Sequence, residues 1–176
     1  NAVDVFVYDT TKDSDGGAWT SNTAGRGPEL VTNGDFATDL TGWTLSALEA
    51  PTWVSGVMQF NSTGAQFSTA DQSITTVVGQ SYVLSFAMVA NPAALTVNIG
   101  TAQGSGDISS TVPATVATHT VSFTAVGTAT WVRFSDASGS ADQQIDNITV
   151  KEVDYSWHWE TLNTATRGAT RPFPAQ

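Results

Sequence analysis

Cysteine is absent from the 176 residues, which removes disulfides, thiolate metal sites and thiol nucleophiles together. Stability must come from burial, backbone pairing and any bound cation. Basic residues are scarce: Lys and Arg number six against sixteen Asp and Glu, for a formal net charge of −10. A surface of that sign repels phosphate backbones, so nucleic acid is not expected as a partner. No apolar run approaches the ~18 residues of a membrane span, and no basic-then-apolar leader opens the chain, so membrane insertion is not expected either. The chain starts at Asn1 rather than Met, which fits a mature or excised piece and leaves export open. The catalytic inventory is equally thin. There are two His, no Gly-x-Ser-x-Gly elbow, no phosphate loop and no His-Glu-x-x-His. Paired acids could cleave a glycosidic bond, but Asp71, Asp107, Asp136 and Asp142 are expected in turns, where Asp has a structural task. The chain is read as non-enzymatic.

What is present is alternation. Between Thr44 and Val153, apolar and small polar residues alternate in runs of five to nine, broken by turn-forming clusters, which is strand rather than helix periodicity. Strands are expected over 43–50, 56–61, 65–69, 72–77, 81–89, 94–100, 106–110, 117–125, 129–135 and 143–153. The fold class is all-β: an antiparallel β-sandwich of jelly-roll type, with extended arms at both ends. Period-two spacing assigns a core of Tyr82, Leu84, Phe86, Met88, Val121, Phe123, Val132 and Phe134. Trp131 and Arg133 fall on the opposite row of their strand and look outward.

Two segments mark the ends of the central module. Glu29-Leu-Val-Thr-Asn-Gly-Asp-Phe36, followed by Gly42-Trp43, is answered a hundred residues later by Gln144-Ile-Asp-Asn-Ile-Thr-Val150. Each sets apolar side chains beside oxygen-bearing ones, and if the two pair, those oxygens meet. The pair resembles the signature of the calcium-carrying jelly-roll carbohydrate-binding modules of the four/nine group, with an Asn-Gly-Asp/Glu-Phe start and an Ile-Asp-Asn/Asp-Val-Ser end. The resemblance implies a domain over 29–153, a core role for Trp43, and a structural Ca2+ held by Asp35 and Asp146. Backbone oxygens around Asn33 and Gly34, and Glu29, would complete the shell, since a hard cation takes six to eight oxygens. The alternative is that both Asp side chains only bond turn backbone.

A glycan ligand needs flat apolar faces for pyranose C–H groups and amides or hydroxyls nearby. Trp53, Trp131 and Arg133 are the candidates, with Gln59, Gln66 and Gln144 as polar partners. Alternatively, the two tryptophans cover the sandwich edge or pack on the arms. Asp13-Ser-Asp-Gly-Gly17 lacks the third ligand and distal Glu of a calcium loop and is read as a turn.

The arms, residues 1–28 and 154–176, differ in character. The first holds an expected strand, Val3-Asp-Val-Phe-Val-Tyr8; the second holds Tyr155-Ser-Trp-His-Trp159 and a proline-tipped tail. The runs from Tyr8 to Trp19 and from Glu160 to Ala169 are similar to stretches of uncharacterised bacteriophage virion proteins. That likeness implies a module inserted into a surface loop of a host framework, as exposed loops tolerate. The expected function is glycan binding and adhesion on an extracellular assembly, a virion surface or a secreted one. Its partners would be a cell-surface or extracellular polysaccharide and other subunits. The alternative is a structural subunit that self-assembles into a filament or shell by strand addition through the arms.

Overall fold

The alternating rows become strands. In a computed structural model, residues 27–91, 95–137, 139 and 142–153 are described, and they contain no helix. Their strands are β1 (Thr44–Leu45), β2 (Thr52–Val54), β3 (Val57–Phe60), β4 (Ser68–Thr75), β5 (Ser81–Ala90), β6 (Leu95–Gly100), β7 (Ser109–Thr111), β8 (Thr118–Thr124), β9 (Ala129–Asp136) and β10 (Gln143–Glu152). They form two antiparallel five-stranded sheets, ordered β1-β4-β9-β6-β7 and β2-β3-β10-β5-β8. From β3 to β6 and again from β8 to β10, each strand crosses to the other sheet, the jelly-roll habit. The fold is an all-β sandwich.

Register decides which side chains share a face. In the first sheet Ala70, Phe134 and Val97 are cross-strand neighbours, all buried; one step along, Asp71, Arg133 and Asn98 are neighbours on the outer face. In the second, Tyr82 meets Phe123 and Leu84 meets Val121, facing inward. Phe86 and Phe134 join the sheets edge to face at 5.2 Å. With Phe36, Phe60, Leu84, Ile99 and Ile145 they are fully buried, each contributing roughly 1.5–3 kcal/mol by leaving water. Every expected core residue is buried except Val121, which is half-buried.

Some expectations change. Residues 65–69 and 72–77 do not form two strands around a turn; β4 runs through Asp71, which is buried mid-strand. The reason is Arg133 across the ladder, which neutralises a carboxylate that would otherwise break the strand. Asp136 likewise ends β9, buried, rather than sitting in a turn. Of 43–50 only Thr44–Leu45 is strand, and Trp53 lies in a short strand of its own. The expected strand from Val3 to Tyr8 and the segment from Tyr155 to Trp159 lie outside the described residues.

The early and late segments do lie side by side. Gly27 N donates to Glu152 O (3.2 Å), Leu30 N to Val150 O (3.0 Å), and Ile148 N to Gly34 O (2.8 Å). β3 pairs only with Gln143–Ile145 of β10, so residues 27–34 take the rest of that flank. They form no regular ladder, because Asn33, Phe36 and Asn147 have left-handed φ of 51°, 45° and 52°.

Candidate functional site

Two regions gather most of the residues singled out by the sequence. The first is the clip between residues 27–43 and β10. Gly34 is fixed by close approach: a Cβ there would stand 2.0 Å from Ile148 O. Oε1 of Glu29 accepts the N–H groups of Leu30, Val31 and Val150 at 3.0, 2.9 and 2.7 Å. The Asn33 amide donates to the carbonyls of Asp39 and Thr41, both at 3.0 Å. Thr41 N–H in turn bonds Asp39, holding that carboxyl below the usual range. Glu29, Asn33, Gly34 and Asp35 line a shallow cavity of about 290 Å³ with Asn147, Ile148 and Thr149. Asp146 does not line it; its carboxylate accepts the backbone and side-chain N–H groups of Asn147 at 2.7 and 2.9 Å. The residues lining the cavity carry carboxylate, amide, hydroxyl and backbone oxygens and no imidazole or thiol, which suits a hard cation. They include two carboxylates only, and among the described residues no three acidic, His or Cys side chains converge at metal-binding spacing. A cation here would draw the rest of its shell from carbonyls and water.

The second region is the outer face of the first sheet. Ser73, Trp131 and Gly100 are cross-strand neighbours, next to the row of Asp71, Arg133 and Asn98. Arg133 grips Asp71 with two bonds, Nε to Oδ1 at 2.8 Å and Nη2 to Oδ2 at 3.1 Å. The carboxylate is 2% exposed and the guanidinium side chain 26%, so the fork is rigid with its rim in water. Residues 101–107 fold over this row. Gln103 Nε2 reaches Asp71 Oδ2 at 3.4 Å. Gly104, at φ +79°, presses on Arg133, leaving no room for a Cβ, which would fall 2.6 Å from Nη1. Asp107 draws the loop closed by accepting the Ser105 and Thr101 hydroxyls and the Thr101 N–H. Those donors, Ser105 first, hold its pKa down at about 2.

The tryptophans separate the two regions. Trp43 is buried and donates its indole N–H to Asn33 O (3.1 Å). Trp53, 42% exposed, sits on the core-facing row at the edge of the second sheet, opposite Met58, and donates to Phe36 O at 2.6 Å. Trp131 is half-buried, and its indole N–H has no partner among the described residues. The glutamines lie elsewhere. Gln144 Nε2 bonds Gln59 Oε1 at 2.7 Å on the outer face of the second sheet, and Gln66 is exposed in the loop after β3. Trp131 and Arg133 are therefore together, Gln59 and Gln144 are together on the opposite sheet, and Trp53 and Gln66 stand apart. Asp71, Asn98 and Gln103 were missed, and no local signal in the sequence marks them: Asp71 is tied to this face only by Arg133, 62 positions away.

No protein-family model and no curated protein matches the chain. Solved structures do. The chain is similar to one described as "CBM4 structure and function" (17% identity, TM-score 0.53, covering 69% of this chain and 99% of that one). It is also similar to the enzymatically active domain of bacteriophage CBA120 tailspike protein 4 (16%, 0.50, 71% and 21%). A third is an arabinose-bound α-L-arabinofuranosidase (14%, 0.50, 70% and 26%). At these identities the likeness is one of fold: a β-sandwich of the kind found in carbohydrate-binding modules.

Proposed function

We propose that the chain is a non-catalytic glycan-binding module whose ligand lies on the outer face of the first sheet. The observation that carries this reading is Trp131: a half-buried indole whose N–H has no partner among the described residues, beside a guanidinium held rigid by Asp71. Such a ring offers an apolar face to sugar C–H groups, while its N–H, the Arg133 rim and the amides of Asn98 and Gln103 serve hydroxyls. Trp53, whose N–H is taken by Phe36 O, is assigned to closing the sandwich edge. The fold shared with a carbohydrate-binding module supports the ligand class, and that shared with a phage tailspike domain supports display on an extracellular assembly, a virion among them. Weak binding by one copy gains strength when many face a surface. In the same reading the clip cavity holds a structural Ca2+ through Asp35 and Glu29, with Asn33 and Gly34 supplying carbonyl oxygen and Asp146 steadying the adjoining turn. The ion would lock residues 27–35 to β10.

The test is affinity electrophoresis against a panel of neutral and acidic polysaccharides, with Trp131→Ala beside the parent chain. About tenfold weaker binding, roughly 1.4 kcal/mol, is expected for the variant. Equal retardation of the two proteins by a bound glycan would move the site off this face.

One observation favours an assembly role. Among the described residues β8 is an edge strand, seven residues long, with no Lys, Pro or acidic residue to blunt it. If strand addition is the task, removing residues 1–28 will dissolve a polymer seen by sizing, and the glycan panel will be blank.

A further inference from the structure

The end of the sandwich where β4 passes to β5 and β8 to β9 raises three valines into solvent. Val77, Val78 and Val126 are 58, 59 and 60% exposed. They stand on two turns that are bonded to each other rather than loose. Gly79 N donates to Ala125 O (2.8 Å), Ala125 N to Gln80 O (2.9 Å), and Thr76 N to Thr128 O (3.0 Å). The Thr76 hydroxyl donates to Gly127 O at 2.9 Å, and Val77 N donates to the Tyr82 hydroxyl at 2.9 Å. With their backbone so fully engaged, the turns cannot fold the valines inward. Turns of this kind are ordinarily polar, so three valines held outward call for a cover.

The same end is where the last described residues leave. Val153 N donates to Ser81 O at 2.8 Å, one residue past the first turn. Residues 154–176 follow, and after Asp154 comes Tyr155-Ser-Trp-His-Trp159, with an aromatic at 155, 157 and 159. At ~3.3 Å per residue, 154–159 reach about 20 Å from Val153, enough to cross both turns. Residue 27 is at the same end, bonded to Glu152 O, but on the other flank of β10 from β5, so residues 1–26 start one strand farther from the two turns.

We propose that the Val77, Val78 and Val126 cap is the docking surface for this chain's own C-terminal arm, through Tyr155, Trp157 and Trp159. Docking makes the arm a stiff joint rather than a loose tether, and it sets how the module is held relative to whatever residues 154–176 attach to.

The full chain tests this by limited chymotrypsin digestion, because the enzyme cuts after the three arm aromatics. Val126→Asp, at an exposed position, is expected to speed cleavage after residues 155–159 about tenfold while cleavage elsewhere is unchanged. Equal rates would overturn the proposal. Because the chain has no thiol, Val126→Cys combined in turn with Tyr155→Cys, Trp157→Cys or Trp159→Cys gives a second readout. At least one pair is expected to close within a monomer under mild oxidation. If all three pairs stay open, if Val126→Cys instead joins two copies, or if it closes instead with Phe6→Cys on the N-terminal arm, the C-terminal arm is not the occupant.

Discussion

The clip and the outer face of the first sheet are built from the same materials, a tryptophan, carboxylates and amides, and use them differently. In the clip, the Trp43 indole and the Asn33 amide spend their donors on backbone carbonyls, while one Glu29 oxygen takes three N–H groups. On the face, Asp71 and the 101–107 loop immobilise Arg133, yet among the described residues the Trp131 N–H meets no acceptor and the guanidinium rim is exposed. A group consumed by the fold stabilises; a group held but not consumed can recognise a ligand. That contrast locates the proposed site better than residue type does.

It can be broken from either side. The largest effect is expected in the clip: Gly34→Ala drives a methyl into Ile148 O, destabilising by about 3 kcal/mol or more, and the thermal midpoint should fall by many degrees. A midpoint near the parent's would mean that the strand ends are not clamped. Next comes Arg133→Ala, which strands the buried Asp71 carboxylate and costs about 2 kcal/mol after allowance for the partly exposed guanidinium. It should weaken both stability in urea and glycan retention, whereas Trp131→Ala should touch retention alone; a variant that loses neither would show the fork to be idle. Calcium is the third lever. Millimolar Ca2+ should raise the thermal midpoint of the parent by a few degrees through linkage, and Asp35→Ala should cancel the gain. No shift in the parent would remove the ion.

The smallest effect concerns the loop. Asp107 has a depressed carboxyl pKa in the folded protein, so its hold on Thr101 and Ser105 is complete above the ordinary value of 3.8 and is lost as pH falls through about 2. Asp107→Asn should weaken glycan binding modestly at neutral pH, with amide exchange at Thr101 rising. Unchanged exchange there would show that other contacts hold the loop.

The core was legible because period-two alternation is local: Leu84 and Phe86 announce their face within their own strand. Leu30, Phe36, Ile148 and Val150 likewise declared that early and late segments belong to one core, and their backbones do meet. Asp71 was not legible, since a charged residue becomes strand-compatible only through a cation 62 positions away. Trp53 and Trp131 look alike in sequence, and what separates them is a carbonyl, Phe36 O, delivered by tertiary structure. Gln59 and Gln144 were grouped with Trp131 because nothing local says which sheet a strand will join.

The antiparallel run of Gly27 beside Glu152, Leu30 beside Val150 and Gly34 beside Ile148 has a mechanical meaning. Tension applied through residues 27 and 153 pulls two neighbouring strands apart from one end, opening Gly27–Glu152 before Leu30–Val150 in unzipping rather than shear. A chain loaded through these two residues would yield in small steps, one backbone bond at a time, rather than in a single break.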